Sequence, residues 1–596
     1  MTRALLALLS LSGALALDNG LAAKPGLGWN SDYCTSCAQT SGSGSNLAGF
    51  ENEKFIQHIA DFLNSSGLAA LGYVNVNMDS LWNLPTRSAD GDLQPDPAKW
   101  PSGFPAIISY VHSRGLKFGV YGDRFGGHSR ARGAQAAPGT GYLTPPPPPP
   151  LLCPTRPRGT LDCNRNPGQL GHEAQDAAFF ARYQIDWFKS DSCYASQNHT
   201  TARHDYGVMR DALNATGREI WFALCGWQPW YAWEGEGGGA ALGNSWRVGM
   251  DTGGGWGPVM SNVQDMLAGG PNGTSLAPYG RPGGFNDMSL LLNPGMGSGA
   301  NLMSNDRHRS QFGLHCIFNA NMLMTGNLSA LDPFVLATWG NAEAVAVNQD
   351  VAHTFVQLPL EAGAAAAAAG GLQPAAVAEC GGEPAAQNWT FNAPAAGFLT
   401  NAASRACLNV DACGSAIVYD GCTTTGSTCA GPGKFSNEQW TLDARGALVS
   451  ALPGARCASV GRDGTLALAP CAPGPAPLPP SQAWRYSAAT GELVAGSGLC
   501  LTVGAPPPPP AQAALLVGRQ LADGSWALLA LNNAANASAP LVCGAPCLAA
   551  MGLAGQNLAL RDVWARADLP PVAAASELRM PAPANGGSAF WRVARA

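Results

Sequence analysis

Two aspartates, Asp191 and Asp251, stand about sixty residues apart, each closing a run that reads as a buried strand: Trp187-Phe188-Lys189-Ser190-Asp191 and Ser245-Trp246-Arg247-Val248-Gly249-Met250-Asp251. Two carboxyls facing one substrate can cleave a glycoside with retention, one as nucleophile and one as acid and then base, when they lie about 5 to 5.5 Å apart. Lys189 shares a strand face with Asp191, and its charge would keep a nucleophilic carboxylate ionised. Arg247, four residues before Asp251, can clamp a sugar hydroxyl or a carboxylate. A single aspartate at a strand end is as readily a helix N-cap; the pair, each with its own cation, is what points to chemistry.

Strands that deliver acids at their carboxyl ends belong to the rim of a (β/α)8 barrel. Eight candidate strands run through Leu27–Asn30, Tyr73–Asp79, Lys117–Asp123, Trp187–Asp191, Glu219–Cys225, Ser245–Asp251, Gly283–Met288 and Met322–Leu328. Helix-like segments such as Glu53–Ser65, Pro105–Gly115 and His172–Tyr183 lie between them, so an α/β TIM barrel over 17–350 is expected ahead of a doubly wound open sheet. Gly126 to Leu161, with the proline run Pro145–Pro150, breaks the alternation as a solvated rim loop. Beyond the barrel, Phe355–Leu358, Ala514–Val517, Trp526–Asn532, Leu558–Trp564 and Glu577–Met580 read as an antiparallel β-sandwich domain in two pieces, 351–376 and 511–596.

Between those pieces the alanine tract Ala364–Ala369 and the prolines Pro506–Pro510 bracket a repeat. Gln387-Asn388-Trp389, Glu438-Gln439-Trp440 and Gln482-Ala483-Trp484 recur roughly every 45 to 50 residues, in phase with Cys407-Leu408, Cys457-Ala458 and Cys500-Leu501 and with Cys380, Cys422 and Cys471. With these signatures, 377–510 resembles a ricin-type β-trefoil inserted in the β domain. Its phase suggests the bridges Cys407 to Cys422 and Cys457 to Cys471, and leaves Cys380 for Cys500. Lectin trefoils of this type usually carry an aspartate two residues after that cysteine, where Asn409, Ser459 and Thr502 stand here. A second sugar site is therefore open only to the first repeat, near Asp411, Asp420 and Asn437.

Only 12% of the 596 residues are charged and the net charge is -6, which supplies no basic stripe for nucleic acid. Met1-Thr2-Arg3, the apolar run to Leu11 and Ala14-Leu15-Ala16 have the pattern of a signal peptide over 1–16. No later run approaches a membrane span. Seventeen cysteines and Asn-x-Ser/Thr sequons at Asn64, Asn198, Asn214, Asn272, Asn327, Asn388 and Asn536 fit the secretory pathway, with an extracellular or vacuolar/lysosomal destination. The histidines form no metal constellation, and no cofactor is expected.

Leu17 to Ala22 with Leu27-Gly28-Trp29-Asn30-Ser31, Gly72 to Asp79 with Trp82, and Tyr110 to Tyr121 resemble, in order, the α-galactosidases of glycoside hydrolase family 27. Phe188 to Cys193, Gly243 to Arg247, Pro282 to Asp287, Val345 to Asp350 and Arg561-Asp562-Val563-Trp564 continue the likeness, which is greatest to plant members. The resemblance implies Asp191 as nucleophile and Asp251 as acid/base. It also implies sugar contacts from Asp79, Lys189, Trp227 and Arg247, Tyr121 beside the nucleophile, and a Cys163–Cys193 disulfide. The implied activity is release of terminal α-linked galactose, or a galactose-like sugar, from oligosaccharides or glycoconjugates.

The pattern is broken at several pocket positions. The family pairs two aspartates before Cys-Trp; here the run is Asp79-Ser80-Leu81-Trp82. A pocket tryptophan is replaced by Asp32, the glutamate of Cys-Glu-Trp by Gly226, and Asp-Pro-Asp-Met by Asp287-Met288-Ser289-Leu290. Gly226 predicts spare room at the sugar's 2-position, enough for an N-acetyl group. These changes leave open a shift toward α-N-acetylgalactosaminides or β-L-arabinopyranosides, or a carbohydrate-binding protein with weakened catalysis.

Overall fold

The computed structural model describes residues 19–33 and 52–124, then 162–360 apart from 165, 194, 196–198, 298–300, 329–330 and 353, interrupted stretches from 373 to 502, and 514–596 apart from 535–539. The signal segment, the rim loop from Gly126 to Leu161, both linkers, Cys422, Asp411, Asn437 and the side chain of Asp420 lie outside the described residues.

Eight strands, β1 (Leu27–Asn30), β2 (Asn75–Asn77), β3 (Lys117–Asp123), β4 (Trp187–Asp191), β5 (Trp221–Leu224), β6 (Ser245–Arg247), β7 (Phe285–Asp287) and β8 (Met322–Met324), pair in parallel in one sheet. Its ends meet where Leu291 N donates to Leu323 O at 2.9 Å and Asn321 N to Asn286 O at 3.3 Å, which closes the barrel. Among the described residues eight helices cover it: α1 (Glu53–Ser65), α2 (Phe104–Ser113), α3 (Glu173–Arg182), α4 (His199–Ala215), α5 (Trp256–Ala268), α6 (Asn305–Ile317), α7 (Pro333–Trp339) and α8 (Ala342–Gln349). Side chains at their starts fix where several begin: Asn52, Ser304, Asp332 and Asn341 accept backbone N–H bonds from the first turns of α1, α6, α7 and α8.

Several strands are shorter than their apolar runs, and this matters at the rim. Asp79 lies two residues past β2, and Asp251, expected as the last residue of its strand, lies four past β6. Val248 N makes the last ladder bond, to Asp287 O at 3.0 Å. Asn262 on α5 then takes Met250 O at 2.9 Å and draws the chain over the rim toward that helix.

β9 (Thr354–Gln357) pairs antiparallel with Ala514–Gln520, so one sheet is assembled from both sides of the insertion. Trp526–Asn532, Gly587–Arg595, Leu558–Asp562 and Ala567–Val572 complete that sheet, and a smaller one of Leu541–Cys543 and Leu578–Met580 shares its core. The domain is fastened to the barrel through Trp256 Nε1 on Asn533 Oδ1 and Asn341 Nδ2 on Val563 O, each 2.8 Å. Gly587–Arg595 is a further strand whose first five residues are all buried, so that half of its run carries no alternation to mark it in the sequence.

In the insert, antiparallel ladders begin at Gln373, ahead of the boundary at 377. Its three tryptophans are buried and linked head to tail: Trp440 Nε1 donates to Leu408 O at 2.9 Å, Trp484 Nε1 to Ala458 O at 3.0 Å, and Trp389 Nε1 back to Leu501 O at 2.9 Å. Each repeat thus binds the one before it, and the first binds the last. Cys380 is joined to Cys500 and Cys457 to Cys471.

Candidate active site

The rim at the carboxyl ends of the strands gathers the charged residues singled out above. Lys189 points inward from β4 and donates through Nζ to Asp79 Oδ2 at 2.8 Å, joining the ends of β2 and β4 across β3. Tyr121, the β3 residue in register with Lys189, donates from its hydroxyl to Asp191 Oδ2 at 3.0 Å. Asp191 Oδ1 accepts Ser192 N at 2.9 Å, so both oxygens are oriented. On the opposite wall, Arg247 Nη1 reaches Asp251 Oδ1 at 2.6 Å while its Nε lies 3.5 Å from Asp287 Oδ2.

Exposure separates the two aspartates. Asp191 is 5% exposed, whereas the Asp251 side chain is 45% exposed, so Asp251 stands at the mouth and Asp191 at the floor. Burial pushes the Asp191 carboxyl up to about 6, Lys189 acting against that and the neighbouring Asp251 and Asp79 with it. Asp251 goes the other way: burial would raise it, but Arg247, Lys189 and the Tyr33 hydroxyl hold it below the ordinary carboxylate range. Burial would lower Lys189, yet Asp79, Cys225, Asp191 and Asp32 keep it well above the usual lysine range. The cations therefore stay charged throughout neutral pH.

Cys163 and Cys193 are joined beside this floor, with Cα atoms 5.1 Å apart. Asp123 receives Cys193 N at 2.9 Å and fixes the turn after Asp191. Asp123, Cys163, Asp191 and Cys193 bring ligand-type atoms together, but two sulfurs in a disulfide are not thiolates, and the group is unsuited to a metal. The turn after Cys163 also reaches Ser80: Asn164 Nδ2 donates to its hydroxyl.

Four non-glycine residues hold left-handed backbone along the rim: Tyr33 after β1 at φ 57°, Leu81 after β2 at 72°, Trp227 after β5 at 57° and Ser289 after β7 at 72°. Such conformations cost about 1 to 3 kcal/mol each and gather where side chains must be aimed. Trp227 stands half-buried at this rim, its Nε1 without a protein partner among the described residues.

Gly226 does not leave the room its sequence position predicts. A methyl group built on it would fall 2.0 Å from the ring of Tyr231, which is wholly buried and fills that space. The residue that arrived, invisible from a local motif, comes from the loop after β5 and stacks on Trp230. Tyr33 has no place in the sequence reading of the pocket, and Asp32 has one only as an altered position. Asp32 read only as a lost tryptophan, although an acid two residues past a strand end is itself a signal.

A family model described as "Alpha galactosidase A" matches residues 24–140 and 155–350. Alpha-galactosidase 3 of Arabidopsis thaliana is 34% identical over 344 residues, 57% of this chain and 64% of that one. The alpha-galactosidase of Coffea arabica is 34% identical over 337 residues, 56% of this chain and 72% of that protein. This chain thus spans less than two thirds of the Arabidopsis protein's length. The crystal structure of alpha-galactosidase I from Mortierella vinacea aligns with 97% of this chain and 99% of its own at a TM-score of 0.56 and 18% identity, a likeness of fold.

Proposed function

We propose that this chain, which belongs to the alpha-galactosidase family, is a retaining glycoside hydrolase that releases terminal α-linked galactose, or a galactose-like sugar, from oligosaccharides or glycoconjugates. The observation that carries this reading is the convergence of Asp191 and Asp251 on one pocket, each with a cation of its own from a strand end.

Asp191 attacks the anomeric carbon; as that bond forms, the bond to the leaving oxygen breaks and Asp251 gives the oxygen its proton. A water then enters on the vacated face, loses a proton to Asp251, and displaces Asp191. Two inversions leave the configuration retained. Tyr121 and Ser192 N hold the attacking carboxylate in line, and Lys189 favours its charged form. The first step needs a proton on Asp251 and a charge on Asp191, the reverse of their order in the free pocket. A sugar hydroxyl that takes over Nη1 of Arg247 relaxes this, because it removes the contact that keeps Asp251 ionised.

The named disulfides and the glycosylation sequons support an oxidising compartment of the secretory pathway. Among the described residues no helix is long and apolar enough to cross a membrane. The head-to-tail tryptophan contacts support reading the insert as a β-trefoil.

Nitrophenyl α-galactoside, α-N-acetylgalactosaminide and β-L-arabinopyranoside, with the configuration of the first-formed sugar followed by NMR, test the proposal. Galactoside turnover giving α-galactose first is expected; no turnover of any of the three, or β-galactose first, refutes it.

A further inference from the structure

Asp32 follows β1, the strand beside β2, and the two strand ends are tied together at this height. Ser31 N donates to Asn77 O at 3.1 Å and Ser31 Oγ accepts Asp79 N at 2.8 Å. Asp32 is pinned on three sides. Its N–H is held by Asn30 Oδ1 at 2.8 Å, its carbonyl accepts the Thr325 hydroxyl, and its Oδ1 accepts Tyr33 N at 2.9 Å. Its other carboxyl oxygen has no protein partner among the described residues. The charged and titratable groups around it are Asp79, Lys189, Asp251 and Tyr33, the same groups that surround the two central aspartates.

Next to Asp79 on the other strand, Ser80 offers no carboxyl, and its hydroxyl is already engaged by Asn164. We infer that Asp32 is a specificity-determining residue of the pocket: from the neighbouring strand it supplies the second carboxyl that Asp79-Ser80 lacks, and its free oxygen binds a hydroxyl of the glycone beside Asp79 and Lys189.

Burial and the adjacent Asp79 push the Asp32 carboxyl up to about 8, so at neutral pH it is largely protonated and can both donate and accept. A neutral acid beside the Asp79–Lys189 pair presents a donor as well as an acceptor to a sugar. The inference rests on the glycosidase reading above. It adds a source of recognition different from an acidic pair on one strand, and it makes the change at position 32 and the change at position 80 halves of one exchange.

Asp32→Ala, Asp32→Asn and Asp32→Ala combined with Ser80→Asp test this on nitrophenyl α-galactoside, with thermal unfolding as the check on folding. Asp32→Ala is expected to lower kcat/KM at least tenfold, as loss of a hydrogen bond to a sugar hydroxyl does. Asp32→Asn is expected to keep more activity than Asp32→Ala, and Ser80→Asp to restore at least half of the loss. Folded Asp32→Ala within twofold of the wild type, or Ser80→Asp without effect on it, overturns the inference. An inactive wild type overturns the glycosidase reading instead, and the inference with it.

Discussion

Arg247 and Asp251 are four residues apart yet lie on different structural units, the arginine ending β6 and the aspartate on the turn beyond it, with 2.6 Å between Nη1 and Oδ1. The arginine is 3% exposed and held against Asp287, so it acts as a fixed cation toward which the more exposed Asp251 leans. Asp251 is thereby aimed by one buried neighbour, which together with Lys189 and Tyr33 holds its proton affinity down.

Replacing that neighbour should change a pH profile as well as a rate. In Arg247→Gln the strongest of the groups that hold Asp251 down is removed, so its pKa rises. The basic limb of kcat/KM is expected to move to higher pH, while kcat/KM at its optimum falls by about tenfold or more through the lost charged contact. A fall in rate with an unmoved basic limb would separate Arg247 from the protonation of Asp251.

Asp191 gives a stability test with a definite sign. Its folded pKa, about 6, is above its ordinary value of 3.8 because it is buried. The folded state therefore binds the proton more tightly than the unfolded chain, and this contribution, complete below about pH 4, is lost as pH rises through about 6. Asp191→Asn is expected to raise Tm at pH 7 to 8, with the gain vanishing toward pH 4. Unfolding curves at matched ionic strength check this; a Tm difference independent of pH contradicts this account of Asp191.

Tyr231 closes the space beside Gly226, so the pocket should discriminate against an added N-acetyl group. The galactoside is expected to be turned over faster than the α-N-acetylgalactosaminide, and equal rates would show that the ring yields. Gly226→Ala forces a methyl into the Tyr231 ring and should cost about 1 to 3 kcal/mol of stability by overpacking, read from denaturant unfolding.

The insert offers a prediction independent of chemistry. The Cys380–Cys500 bridge spans 120 residues and ties its ends together. Non-reducing peptide mapping should recover that crosslink, and Cys500→Ser should lower the insert's stability by about 5 kcal/mol in the loop-entropy description. A Cys380 peptide carrying another cysteine contradicts this closure.

Much of this architecture was legible in the chain because buried parallel strands write themselves as apolar runs: β1, β3 and β4 begin and end where their residues suggest. β2 and β6 were overextended, since Met78 and Val248 are as buried as strand residues while already leaving the ladder. Asp191, Lys189, Arg247 and Asp251 stood out by type and spacing. Tyr231 and Asp32 did not, because what each does depends on a neighbour distant in sequence: Gly226 lacks the Cβ that would exclude the Tyr231 ring, and Asp32 meets Asp79 only when β1 and β2 pair. A motif records what a position has lost; the space or charge that replaces it comes from elsewhere in the fold.

The central claim is that Asp191 forms a covalent bond to the sugar while Asp251 handles the proton. Incubation with a slowly turned-over fluorinated galactosyl fluoride, followed by peptide mapping in a mass spectrometer, tests it directly. One glycosyl group on Asp191, in the peptide running through Lys189 to Cys193, is the expected result; a glycosyl group on Asp251 or any other residue contradicts the account.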